Sequence, residues 1–200
     1  MAQQQPGPFP GGLRPTDQPT GNVPALHAPW RMGYIDEVDQ KERGLATSAG
    51  GTGCFLRDYW LNPEADEAQL VIVRTGAGMV MLNRYPYANG HLLVALGESR
   101  PRLTDYDAGQ RASLWALVDL AADLLERALD PQGVNIGINQ GRAAGAGVPE
   151  HLHVHLVPRW GGDVNYMTVL GQVRVIPASL EAMYGRLSRA WSSMRGGYGL

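Results

Sequence analysis

The sequence predicts an α+β domain with a mainly antiparallel sheet. Three observations lead there. Short apolar runs at 69–75, 78–84 and 91–96 are separated by turn-forming residues, one long helical pattern follows, and two further strand patterns precede a terminal helix. The connections between the early runs are short enough for hairpins and meanders rather than repeated crossovers.

Runs 69–75 and 78–84, separated at Gly76-Ala77-Gly78, read as a hairpin. Residues 91–96, His-Leu-Leu-Val-Ala-Leu, form the next strand, entered through a loop containing Pro86, Asn89 and Gly90. Thr104 and Asp107 fit a capping box, followed by Leu114, Leu117, Ala121, Leu124 and Ala128 at helical spacing. A helix from about Asp105 to Asp130 is therefore expected. Val134, Ile136 and Ile138 alternate with Asn135, Gly137 and Asn139, the pattern of a half-buried strand. A Gly/Ala-rich loop from Gly141 to Pro149 leads into the last strand. A final helix should start near Pro177 and turn Leu180, Met183, Tyr184 and Leu187 inward.

Residues 1–25 carry six prolines and several glycines with almost no large apolar side chain, so a disordered tail is expected there, with one domain over 26–200. Gly50, Gly51 and Gly53 read as a second flexible stretch. The formal charge of −2 gives no general attraction for duplex nucleic acid, whose non-specific affinity comes from Lys and Arg neutralising phosphates. No run approaches the ~20 apolar residues needed to span a bilayer, and no secretory pattern opens the chain. The single cysteine, Cys54, excludes an intrachain disulfide and suits a reducing cytoplasm.

Three of the five histidines stand at alternating positions, His151-Leu152-His153-Val154-His155. On a strand they share one face, roughly 7 Å apart along the backbone, with Leu152, Val154 and Leu156 on the other. Two chemistries fit such a row. Imidazoles bind metals, and a His-X-His pair on a strand can chelate one. Alternatively, one imidazole attacks a phosphorus while a neighbour fixes its tautomer and another donates to the leaving group. No acidic fourth ligand stands nearby, since strand alternation turns Glu150 away from His151. Covalent phosphoryl chemistry is the better reading.

These residues resemble the histidine-triad family. Besides the triplet, the resemblance covers Leu82-Asn83-Arg84-Tyr85-Pro86, Gly90-His91-Leu92-Leu93-Val94, Asn139-Gln140-Gly141 and Pro158-Arg159-Trp160-Gly161-Gly162-Asp163, in order over residues 54–167. With Ala28-Pro29-Trp30-Arg31, it points to the bacterial branch related to diadenosine tetraphosphate phosphorylases and fragile-histidine-triad hydrolases. The resemblance implies a five-stranded antiparallel sheet with two main helices, commonly in a dimer. It implies that His153 attacks the α-phosphate, His155 contacts the phosphate and bridging region, and His151 orients the nucleophile through hydrogen bonding. His91 would back the triad, Asn83 would lie near the nucleoside, and Asn139 and Gln140 would face the substrate, with Gln140 positioning its phosphates. Trp160 is expected either to stack on a base or to pack.

The same resemblance implies a small nucleotide as partner, no metal at the triad and no tightly bound cofactor, any divalent cation such as Mg arriving with the nucleotide. Two departures stand out. Relatives often carry Cys-X-X-Cys near the start, sometimes in a zinc site, whereas this chain has Cys54 and Arg57. Relatives also often place hydroxyl or amide side chains before the triad, where this chain has Gly147 and Val148, leaving backbone N–H groups as phosphate donors. Nucleotidyl transfer to phosphate or to water passes through one intermediate, and branch resemblance favours phosphate. Phosphoramidates or nucleotidyl sulfates would be alternative substrates on the same scaffold.

Overall fold

A computed structural model describes residues 53–163 and 178–198. The Pro/Gly-rich tail, the Ala28-Pro29-Trp30-Arg31 segment and the expected helix start at Pro177 lie outside the described residues. Helix α1 (Phe55–Leu61) leads to strands β1 (Val71–Arg74), β2 (Gly78–Leu82) and β3 (Leu92–Leu96). Helix α2 (Ala108–Leu129), β4 (Gly133–Ile138), β5 (His153–Arg159) and helix α3 (Leu180–Met194) follow. The five strands pair antiparallel throughout, in the order β1-β2-β3-β5-β4. The β1–β3 segment is a meander, and β5 then inserts between β3 and β4.

The sheet is covered on both faces, which explains why β2 and β3 are buried along their whole length instead of alternating in burial. On one face Val80, Leu82, Leu92, Val94, Val154 and Leu156 pack against Leu114, Leu117, Leu124 and Leu125 of α2, with Met183 and Leu187 of α3 joining them. On the other face Met79, Met81, Leu93 and Ala95 meet Cys54 and Leu56 at the start of α1 and Val148 of the Gly/Ala-rich loop. Among the described residues that second cover is thin. Part of this face therefore remains open as a cavity.

Helix α2 begins later than the sequence pattern suggests. Asp107, not Thr104, is its N-cap, accepting from Gln110 N while Asp107 N donates to the Gln110 side chain. Thr104 is instead used in a short 3-10 turn, Leu103–Asp105. Strand β4 is less buried than its alternation implies. It is the sheet edge, and Ile136, on the face shared with Leu156, is 46% exposed, with no helix among the described residues reaching over it. Helix α1 was not anticipated; Phe55, Leu56, Tyr59 and Trp60 carry its signal, obscured by the glycines before it.

Candidate active site

A cavity of about 550 Å³ opens on the thinly covered face. Its floor includes Met81, Leu93, His153 and His155, and Phe55 and Tyr59 of α1 form an aromatic wall. The β2–β3 loop contributes Asn83, Arg84 and Tyr87, and the loop before β5 contributes Arg142, Gly147 and Glu150.

The ladder explains which histidines reach the cavity. His153 and His155 stand opposite Ala95 and Leu93 in β3, on the cavity face, with ring centroids 4.9 Å apart. His151 precedes the strand. Leu152 N donates to Arg100 O at 2.8 Å, outside the sheet ladder, so the alternation of faces does not extend back to His151. Its ring is fully buried beside Cys54 and does not line the cavity. The same break corrects Glu150, which lines the cavity alongside His153 instead of facing away.

Partners with only one hydrogen-bonding role fix the imidazole tautomers. The His151 carbonyl lies 2.9 Å from His153 Nδ1 and can only accept, so Nδ1 carries the proton and Nε2 the lone pair. The backbone carbonyl of His151, rather than its side chain, therefore orients His153. Burial pushes the His153 pKa down, opposed by that carbonyl and by the Glu150 charge. The ring stays neutral near pH 7.

His155 is set the other way. Tyr87 N donates to His91 Nδ1 at 3.1 Å, and the Asn83 amide, oriented by Tyr85 N donating to its oxygen, lies 3.2 Å from the same nitrogen. His91 must therefore carry its proton on Nε2, which donates to His155 Nδ1 at 3.0 Å. Neutral His155 then holds its own proton on Nε2. The two cavity histidines present opposite functions: a lone pair on His153 and an N–H on His155.

His151 supports this pair from below. Its Nε2 donates to Leu96 O at 2.8 Å, leaving Nδ1 to accept from the Cys54 thiol 3.3 Å away. Burial pushes the His151 pKa down to about 4 and raises that of Cys54, so both are uncharged. Arg57, at the position where a second cysteine would stand, has no lone pair to give and donates to Gly97 O. Among the described residues no three His, Cys, Asp or Glu side chains are close enough to hold a metal ion.

Of the remaining candidates, Asn83 and Gly147 line the cavity and His91 lies fully buried behind His155. Three others do not line it. Gln140 accepts from Leu103 N at 3.0 Å, Asn139 donates to Gly145 O at 3.5 Å, and Trp160 Nε1 donates to Asp130 O at 3.3 Å while its ring packs against the helix-side core. Gln140 and Asn139 thus brace the loop before β5, and Trp160 closes the end of α2. Arg142, Phe55 and Tyr59 also line the cavity, and no sequence motif singles them out. The apolar spacing of α1 could have flagged the last two.

Residues 64–162 match the HIT domain. The AP-4-A phosphorylase of Mycobacterium tuberculosis is 37% identical over 167 residues, covering 84% of each chain. The bifunctional bis(5'-adenosyl)-triphosphatase/adenylylsulfatase FHIT of Arabidopsis thaliana is 31% identical over 105 residues, 52% of this chain and 58% of its own. A Zn-bound histidine triad family protein from Mycobacterium smegmatis superposes with a TM-score of 0.55 at 25% identity, over 72% of this chain and 96% of its own. The chain belongs to the HIT family.

Proposed function

We propose that this protein is an enzyme that cleaves dinucleoside polyphosphates, diadenosine tetraphosphate foremost, through a nucleotidyl group carried on His153. The observation that carries the proposal is the pair of cavity histidines and their partners: the His151 carbonyl at His153 Nδ1 leaves the lone pair on Nε2, and His91 Nε2 at His155 Nδ1 leaves the N–H of neutral His155 on its own Nε2. His153 Nε2 forms a bond to the α-phosphorus as the bridging P–O bond breaks. His155 donates an Nε2–H hydrogen bond to the departing oxygen, which takes the bond's electron pair and leaves as a terminal phosphate oxygen of the released nucleotide. In the second step an acceptor oxygen bonds to the same phosphorus, the N–P bond breaks, and His153 recovers its lone pair.

Phosphate is the favoured acceptor, in line with the phosphorylase named among the relatives. The aromatic and apolar wall from Phe55, Tyr59, Met81 and Leu93 suits a planar base, and backbone N–H groups near Gly147 suit the phosphates. Any divalent cation accompanies the substrate's phosphate chain. Nucleotidyl sulfates are a second reading, favoured by the adenylylsulfatase activity named for the plant relative.

The enzyme is proposed to work as a homodimer. Edge strand β4 with exposed Ile136, and Trp115 on α2 at 44% exposure, offer apolar surface for a second copy. A cytoplasmic setting is proposed, supported by the buried reduced thiol of Cys54. No helix among the described residues is long and apolar enough to cross a membrane.

Product analysis with diadenosine tetraphosphate, with and without inorganic phosphate, tests the reading. Phosphorolysis gives ADP and ATP, and hydrolysis gives AMP and ATP. Phosphate-independent formation of AMP and ATP alone rejects the phosphorylase assignment, and absence of cleavage rejects the substrate class.

A further inference from the structure

We propose that Arg142 holds the phosphate-bearing partner of the reaction: first the polyphosphate chain of the departing nucleotide, then the inorganic phosphate that replaces it. The inference rests on the dinucleoside polyphosphate reading above and assigns a specificity residue to it.

The cavity walls differ in chemistry. Helix α1 and the sheet floor are apolar and aromatic, whereas the segment between β4 and β5 supplies Arg142, the backbone of Gly145 and Gly147, and Glu150. Among the described residues two cations line the cavity, Arg84 and Arg142. Arg84 belongs to the β2–β3 loop and donates to Ala68 O at 3.0 Å, whereas Arg142 belongs to the segment that continues into the two cavity histidines. Arg142 opens a tight 3-10 turn, Arg142–Ala144, flanked by Gly141 and Gly145 at φ 85° and 86°. Glycine tolerates that backbone without strain. Gly145 N donates to Arg142 O at 2.9 Å and Ala146 N to Gly141 O at 3.2 Å, so a compact turn sets where the guanidinium starts. The same stretch runs directly into His153 and His155, and buried Val148 anchors it on the sheet.

The chemistry requires one subsite for two anions. Each displacement at the α-phosphorus is in line, and His153 Nε2 occupies one apical position in both. The leaving oxygen departs from the opposite apex, and the acceptor oxygen must return to it. A group that binds the leaving phosphate chain therefore also meets the incoming phosphate. A guanidinium suits the task, because its planar fork donates two parallel hydrogen bonds to a phosphate. Glu150 on the same wall disfavours a second anion, which increases the dependence of phosphate binding on Arg142.

The test uses the full-length protein, its Arg142→Ala and Arg142→Lys variants, and diadenosine tetraphosphate over a series of phosphate concentrations. ADP and AMP report how the nucleotidyl-enzyme partitions between phosphate and water. That ratio is independent of how fast the intermediate forms, so general damage does not move it. Arg142→Ala is expected to lower the ADP to AMP ratio at fixed phosphate, and to raise KM for the tetraphosphate, each by about tenfold or more. Arg142→Lys should recover part of both, keeping the charge but not the fork. Cleavage by the wild type with an unchanged ratio and KM in Arg142→Ala overturns the Arg142 assignment. Formation of AMP alone by the wild type at every phosphate concentration overturns its acceptor half. No cleavage by the wild type overturns the underlying reading and this assignment with it.

Discussion

His91 Nε2 lies 3.0 Å from His155 Nδ1, and the proton between them belongs to His91. The Tyr87 backbone N–H occupies the other nitrogen of His91 and cannot accept, so His91 has no second place for its proton. A main-chain amide in the β2–β3 loop thereby dictates that neutral His155 presents a donor to the cavity. His91 acts through His155 and is a positioning residue.

Replacing His91 with phenylalanine should release that constraint. The expected result is a fall in kcat of about 10²-fold with a smaller change in KM, as for loss of an oriented hydrogen-bond donor at the transition state. A changed pH profile should accompany it. Equal losses in kcat and folded fraction by circular dichroism would instead point to a packing defect.

Acid should affect both activity and stability. Burial lowers the His153 pKa, so the nucleophile remains neutral below the ordinary histidine range. The acid limb of kcat/KM for the free enzyme should therefore fall below pH 6.5, the unperturbed histidine value. Stability is linked to both buried histidines, since burial lowers the pKa of His153 as well as that of His151. The folded pKa of His151, about 4, lies below 6.5, so between those values the unfolded chain binds a proton there that the folded chain does not. Stability is complete above about pH 6.5 and declines as pH falls towards 4, by about 3 kcal/mol for this one group. Urea melts at pH 7, 5.5 and 4 read the slope directly.

The sequence conveyed the sheet better than the site, for a physical reason. Strand periods and helix spacing are local, and β2, β3, α2 and α3 are recognisable from them. The row of histidines needed tertiary information. Alternation predicts three imidazoles on one face, but the ladder starts at His153, and Leu152 N is drawn to Arg100 O instead. His151 therefore turns to Leu96 O and Cys54. Asn83 carried a visible signal and lines the cavity, whereas Gln140 and Trp160 are engaged with Leu103 and Asp130. Arg142 stands in a loop without periodicity, and only the folded turn brings it to the cavity wall.

Close packing between β2 and β3 makes a sharp contrast between two glycines. A Cβ on Gly78 would lie 2.4 Å from Ala95 O and 2.9 Å from the Leu96 Cα, both backbone atoms that cannot swing away. Gly78→Ala should cost more than about 2 kcal/mol. Gly76, in the adjoining turn, has nothing within 4 Å of that position, and Gly76→Ala should stay within about 0.5 kcal/mol of wild type. Thermal melts of the two variants make the comparison.

Cys54 should be inert in the folded protein. It is 6% exposed, burial raises its pKa, and its thiol faces His151 Nδ1. Thiol reagents at pH 8 should label it slowly in buffer and rapidly in denaturant. Fast labelling of the native protein would mean that the floor beneath the triad opens.

The covalent step on His153 is the centre of the account. Rapid quenching of the enzyme with diadenosine tetraphosphate, followed by mass spectrometry of the peptide containing residues 151–155, tests it most directly. One adenylyl group on His153, formed and lost at rates matching turnover and missing from His153→Ala, is the predicted result. An adduct on a different residue, or undiminished turnover by His153→Ala, would contradict it.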